Sequence, residues 1–157
     1  MKITALFPGS FDPFTIGHKV VVDQGLTMFD KIVVAVGTNM DKKGLLTPQK
    51  RVELIKDIFK GDERVEVIIY DTLTGDLCRS LGITTIIRGL RNTVDFEYER
   101  SIAMVNEKLF PDIQTVLVFT PPRYVAISSS VIRELISYGG DTKQLMPACI
   151  DIKNYLE

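Results

Sequence analysis

Three features of the chain predict an α/β protein built on a doubly wound, parallel five-stranded sheet. Runs rich in β-branched residues recur at Ile3–Phe7, Ile32–Val36, Val65–Tyr70, Thr84–Ile87 and Thr115–Phe119. Most are continuously apolar, the pattern of strands covered on both faces. Helical patterns fall between them, and strand alternating with helix implies parallel strands joined by helical crossovers.

The elements follow in order. The first run leads into Pro8-Gly9-Ser10-Phe11-Asp12-Pro13-Phe14-Thr15-Ile16-Gly17-His18, a turn that opens a helix predicted over 17–28. Thr47-Pro48 supplies an N-cap and an N1 proline for a helix whose Val52, Ile55 and Phe59 recur at helical spacing. Val94, Tyr98, Ile102, Val105 and Leu109 form a further helical stripe, stopped by Pro111. This stripe suits core packing and a subunit interface equally well. Helices over 74–81, 129–138 and 147–156 complete the pattern. With no repeat, low-complexity tract or linker, residues 1–157 are expected to form a single domain, a length that fits one core.

Composition narrows the function. Apolar residues make up 45% and charged residues 25%, and no apolar stretch approaches the roughly 20 residues that span a bilayer. The opening segment carries one lysine and a short strand-like run, unlike a secretory signal. Cys78 and Cys149 lack CxxC spacing and read as thiols of a reducing compartment, so a cytoplasmic protein is expected. A net charge of -1 argues against a broad nucleic-acid footprint, so any bound anion must be held locally. His18 is the single histidine, which disfavours a histidine-based zinc site.

Ligands of such sheets bind beyond the carboxyl ends of the strands, where strand order reverses. The residues following the apolar runs are therefore the candidates. The first loop opens a helix with exposed N–H groups at its positive end, Gly17 permits close approach to the backbone, and His18 falls in the first helical turn. A plain βα turn capped by Thr15 remains the other reading. Neither a Walker loop nor GxGxxG is present.

After the second run, Lys42 and Lys43 lie in the Gly37–Leu46 segment, where lysines are ordinarily solvated. Arg88, at the carboxyl end of Thr84–Ile87, needs an anionic partner. A salt bridge to Asp95, Glu97 or Glu99 would satisfy it. Arg88 and Arg91 around Gly89 also suit bidentate phosphate binding. After the last run, Tyr124-Val125-Ala126-Ile127-Ser128-Ser129-Ser130 precedes Val131-Ile132-Arg133. One serine would cap a helix there, and the others suggest a second anion site.

Thr15-Ile16-Gly17-His18 resembles the TxGH form of the HxGH motif of the nucleotidyltransferase superfamily. The longer string PGSFDPFTIGH, followed by RGLR at Arg88–Arg91, DFEYE at Asp95–Glu99 and ISSS at Ile127–Ser130, resembles the bacterial phosphopantetheine adenylyltransferase family along the whole chain. That resemblance implies a Rossmann-like nucleotidyltransferase fold and transfer of the adenylyl group of ATP to 4'-phosphopantetheine. The products would be dephospho-coenzyme A and pyrophosphate. It further implies Mg²⁺ held mainly by phosphates and water, a homohexamer, and coenzyme A as feedback inhibitor.

By the same resemblance His18, Lys42 and Arg88 are catalytic, and Ser10, Lys42, Thr74 and Arg88 bind the acceptor. ATP would be bound by Ser10, Phe11, His18, Gly89, Leu90, Arg91, Glu99, Tyr124, Val125, Ala126, Ile127, Ser128, Ser129 and Ser130. The ISSS turn is the counterpart of the KMSKS loop of class I tRNA synthetases and would hold the β- and γ-phosphates. The chain departs from the family at Ser10, often threonine, and at Thr74, where relatives also carry a hydrophobic residue.

The implied chemistry agrees with the residue types. An acceptor phosphate already ionised at neutral pH needs no strong base, and the chain shows no Ser–His–Asp or paired-carboxylate pattern. What it needs is alignment of two polyanions and neutralisation of developing charge. Two other functions stay open at this level: transfer to another acceptor, such as nicotinamide mononucleotide or glycerol phosphate, and a non-catalytic nucleotide sensor. The net charge and the lack of an appended domain disfavour an RNA-binding relative.

Overall fold

A computed structural model describes residues 1–38 and 43–156. Five parallel strands, β1 (Thr4–Gly9), β2 (Lys31–Gly37), β3 (Val65–Tyr70), β4 (Thr85–Leu90) and β5 (Gln114–Phe119), form one sheet in the order β3-β2-β1-β4-β5. Helices α1 (Ile16–Gly25), α2 (Pro48–Ile58), α3 (Thr74–Leu81), α4 (Thr93–Leu109) and α5 (Ser129–Ser137) alternate with them. This is the expected doubly wound, Rossmann-like sheet. Strand order reverses between β1 and β4, which makes that boundary the switch point.

The two faces carry separate cores. On one, Ala5, Phe7, Val34 and Ile87 pack with Val21 and Val22 of α1, Leu54 and Ile55 of α2, and Ile132 of α5. On the other, Leu6, Val33, Ala35 and Ile86 meet Cys78 of α3 with Phe110 and Ile113. Alternate residues of each strand thus serve opposite faces, which is why the runs are apolar without a break.

Two expectations need correction, and of the two uses left open for the α4 stripe one is excluded. β1 and β4 run further than their apolar runs, to Gly9 and Leu90, so Arg88 and Gly89 lie within β4 and not after it. Pairing explains this: Arg88 is in register with Leu117 and Gly89 with Val118, so the β5 ladder carries the strand through both.

Second, residues 147–156 are not a helix. Only 3₁₀ turns form, at Lys143–Leu145 and Ile152–Asn154. Ile150, Ile152 and Tyr155 are all buried, a spacing that no single helical face provides. The Tyr155 hydroxyl, 2.6 Å from Asp57 Oδ2, donates to it and pins the segment to α2.

Helix α4 does not use its apolar stripe in this core. Val94, Tyr98, Val105 and Leu109 are 75, 63, 55 and 58% exposed, and Glu99 is the buried residue of the helix. Among the described residues, no helix is long and apolar enough to cross a membrane.

Close packing of α3 depends on Gly75, where an added Cβ would lie 2.2 Å from the Phe110 ring. Gly75→Ala is expected to destabilise the fold by about 1–3 kcal/mol, the usual cost of overpacking. A lowered urea midpoint at unchanged slope would show it.

Candidate active site

Proline 8 shapes the switch point. β1 pairs with β2 from Thr4 to Gly9, but towards β4 the registered pair is Leu6 with Ile86. Pro8 has no N–H to continue a ladder. Its carbonyl instead accepts a hydrogen bond from Arg88 Nη1. A guanidinium therefore stands between the two central strands at their carboxyl ends.

Helix α1 begins beside it with a reciprocal cap. Thr15, in extended backbone, accepts the His18 N–H at its Oγ1 at 3.3 Å, and His18 Nδ1 accepts the Thr15 N–H at 2.9 Å. An acceptor at Nδ1 puts the proton of the neutral ring on Nε2. The half-buried imidazole packs among aromatic rings, with Phe11 edge-on at 5.1 Å and Phe14 at 5.2 Å. Burial, then the charges of Arg88 and Arg91, push its pKa down to about 3.

Phe11 holds this arrangement from a left-handed backbone conformation, φ 50°, which costs energy for a bulky residue. Gly9 leaves it room, since a Cβ there would lie 2.8 Å from the Phe11 ring.

Both arginines are engaged by carboxylates. Arg88 Nε and Nη2 donate to the two oxygens of buried Glu99, at 3.0 and 2.7 Å. Arg91 Nε and Nη2 donate to Asp95 at 3.0 and 3.3 Å, and Nη1 to the Ile127 carbonyl at 3.3 Å. Burial raises the Asp95 carboxyl, but hydrogen bonds from Arg91 outweigh it and hold it below the ordinary range. The salt-bridge alternative raised for Arg88 is thus present, with Glu99 as the partner. Three of the five N–H groups of Arg88 are used. Among the described residues the other two N–H groups, one on Nη1 and one on Nη2, have no hydrogen-bond partner.

The serine turn has a task for each hydroxyl. Ser128 caps α5 by accepting the Val131 N–H at 3.2 Å. Ser129 Oγ donates to the Pro13 carbonyl at 2.8 Å. Ser130 Oγ accepts from Arg133 Nη2 at 3.1 Å, while Arg133 Nη1 donates to the Asp12 carbonyl at 2.8 Å. The α5 start is thereby tied to the first loop. The amides of Ser129 and Ser130 occupy the first turn, where a helix has no internal acceptor for them.

These parts border one cavity of about 300 Å³. Of the residues proposed from sequence, Ser10, His18, Arg88, Gly89, Arg91, Glu99, Ile127, Ser128, Ser129 and Ser130 line it. Phe11, Leu90, Tyr124, Val125 and Ala126 do not: Phe11 and Leu90 are buried, and the other three belong to the turn that leads to Ser128. Thr74 lies instead in an adjoining cavity of about 100 Å³ with Tyr98, Ile102 and Asn106. Arg88 and Glu99 border both cavities, so their ion pair is the shared wall. Lys42 lies outside the described residues.

Thr120, Asp95 and Arg133 also line the larger cavity, though the sequence assigned none of them to the site. Thr120 directly follows β5, so the carboxyl-end rule applied evenly would have found it. Gly17 lines it too, and a Cβ there would come no closer than 3.4 Å to protein atoms. Packing does not require that glycine. Among the described residues no group of three metal-ligating side chains occurs.

Known proteins resemble this chain in sequence and in fold. Residues 6–135 match the cytidylyltransferase-like family. The phosphopantetheine adenylyltransferase of Lactobacillus johnsonii is 49% identical over 146 residues, 92% of this chain and 88% of that protein. That of Phocaeicola vulgatus is 47% identical over 143 residues, 91% and 94% of the two chains. Among solved structures, a bifunctional NMN adenylyltransferase/ADP ribose pyrophosphatase from Francisella tularensis superposes with a TM-score of 0.72 at 17% identity. Its complex with AMP and a manganese ion gives 0.71 at 18%. The chain spans about half the length of that bifunctional protein, 47 and 46% in the two structures, and the likeness is one of fold. Shared identity at this level over nine-tenths of the sequence, together with the family match over residues 6–135, means that the chain belongs to the phosphopantetheine adenylyltransferases, a family of nucleotidyltransferase enzymes.

Proposed function

We propose that this protein transfers the adenylyl group of ATP to 4'-phosphopantetheine, forming dephospho-coenzyme A and pyrophosphate on the route to coenzyme A. The observation that carries the reading is the convergence of two helix N-termini and the Arg88 and Arg91 guanidinium groups on one cavity, with a second cavity behind Arg88. The larger cavity suits a nucleotide triphosphate, and the smaller, lined by Ile102, Ala103, Thr74 and Asn106, suits a thin chain of methylenes and amides.

The acceptor phosphate attacks the α-phosphorus in line and pyrophosphate leaves, with no covalent intermediate. His18 donates its Nε2–H to the α-phosphate as charge builds there. Arg88, with Lys42, holds the attacking phosphate. Ser10, Arg91 and the Ser128–Ser130 turn hold the triphosphate through hydroxyls and first-turn amides. Asp95 and Glu99 are both committed to arginine. With both carboxylates so committed, phosphate and water oxygens would hold Mg²⁺, which would supply neutralisation of the triphosphate charge.

We further propose a single domain over 1–157, a cytoplasmic location in keeping with the free thiols of Cys78 and Cys149, and a homohexamer that covers the apolar face of α4. Coenzyme A, which contains the product, would compete for the same cavities as a feedback inhibitor.

Incubation with ATP, Mg²⁺ and either 4'-phosphopantetheine, nicotinamide mononucleotide or glycerol phosphate, with products weighed by mass spectrometry, tests the reaction. Dephospho-coenzyme A alone is expected. Product from another acceptor, or ATP binding without turnover, refutes it.

Three further outcomes follow. His18→Ala lowers kcat by about 10²–10⁴-fold with a smaller change in KM, as loss of a transition-state donor does. Gly17→Ala keeps or raises Tm, since alanine favours helix and meets no close protein atom, yet raises KM for ATP by roughly tenfold as its methyl enters the cavity.

In the free protein the ¹⁵N signals of the sole histidine show the Nε2–H tautomer and no titration from pH 5 to 8. With its folded pKa lowered from 6.5 to about 3, this group's stability contribution is complete above pH 6.5 and lost as pH falls towards 3. A midpoint near 6.5 would contradict the assignment.

A further inference from the structure

Asp12 and Arg51 form a buried ion pair, each 7% exposed, and neither borders either cavity. Among the described residues, the hydrogen bonds of both side chains go to backbone atoms. Asp12 Oδ2 accepts the Leu45 N–H and Oδ1 the Leu46 N–H, both at 2.8 Å. Arg51 Nε lies 3.4 Å from Oδ1 and donates to the Leu46 carbonyl at 3.0 Å, while Nη1 donates to the Ser10 carbonyl at 3.2 Å. The Asp12 carbonyl is the acceptor for Arg133. The chain crosses directly over the pair at Gly44, where a Cβ would come within 2.1 Å of Arg51 Nη2 and 2.6 Å of Asp12 Oδ2.

A buried ion pair is a poor device for stability alone, because apolar residues of the same volume do as well or better. A carboxylate and a planar fork that between them tie the Leu45–Leu46 backbone to that of Ser10 are suited to setting position. The segment they grasp, Ser10 to Asp12, brings Ser10 to the cavity wall and sets the Phe11 ring against the His18 imidazole.

We propose that Asp12 and Arg51 are positioning residues for adenylyl transfer. They fix the height of the Ser10–Asp12 loop against α2, and so align Ser10 and His18 with the α5 serine turn, while touching no substrate. This rests on the reaction proposed above.

The test compares the wild-type protein, Arg51→Lys, Asp12→Asn and Asp12→Asn/Arg51→Met by Tm, by kcat and KM for ATP and 4'-phosphopantetheine, and by the His18 ring signals. Lysine keeps the charge but has no fork to reach both carbonyls. Arg51→Lys is expected to fold with Tm within about 5 °C of wild type, to shift the His18 signals, and to lose about 10–100-fold in kcat with KM changed less than about threefold, the scale of a small misplacement. The double variant, free of an unpaired buried charge, regains Tm relative to Asp12→Asn but not kcat.

A kcat of Arg51→Lys within about threefold of wild type overturns the proposal, as does recovery of kcat together with Tm in the double variant. Failure of every variant to fold assigns the pair to folding and likewise overturns it. A wild-type protein that makes no dephospho-coenzyme A sinks the reaction instead. The His18 signals then decide for the pair: unshifted signals in the folded variants reject it, and shifted ones uphold its hold on the loop.

Discussion

The architecture of the site follows from one missing hydrogen-bond donor. A proline in a central strand of a parallel sheet is unusual, since it breaks the ladder that such strands otherwise share. Pro8 does this on the β4 side of β1, at the boundary where strand order reverses. The ladder ends, and the freed carbonyl takes the Arg88 guanidinium. From that arrangement follow the position of Arg88 between two cavities, the burial of Glu99 against it, and the placement of both helix N-termini above the same opening.

The electrostatics explain how a chain of net charge -1 can accept polyanions without a basic surface. Arg88 and Arg91 each already have a carboxylate partner, so neither stands as an unpaired cation in a low-dielectric cleft. In the proposed mechanism, uncharged donors, the first-turn amides of α1 and α5, would supply much of the complement to phosphate. Attraction is confined to a cavity about the size of the ligand.

The parts legible in the sequence were those carried by local pattern. β-branched runs marked all five strands, Thr47-Pro48 marked the start of α2, and the Thr15–His18 string marked the helix that bears the imidazole. What escaped depended on contacts across the chain. Arg51 looks like a surface charge of α2, and its burial is evident only once Asp12, 39 positions earlier, is known to face it. Glu99 is one of three carboxylates that the sequence offers to Arg88, and only the packing of α4 against β4 selects it. Arg88 and Gly89 look like the end of a strand because a charge and a glycine interrupt its apolar run, whereas β5 carries the pairing through them. The apolar stripe of α4 has helical periodicity, which identifies the helix but not what covers it.

The reciprocal cap at the start of α1 has a chemical consequence. Because the Thr15 amide occupies Nδ1, the imidazole has no free lone pair with which to collect a proton. It cannot shuttle protons between partners as the histidine of a hydrolase does. It behaves as a fixed dipole, directed by the same backbone bond that starts the helix, so chemistry that required deprotonation of a neutral nucleophile would find no help from this ring.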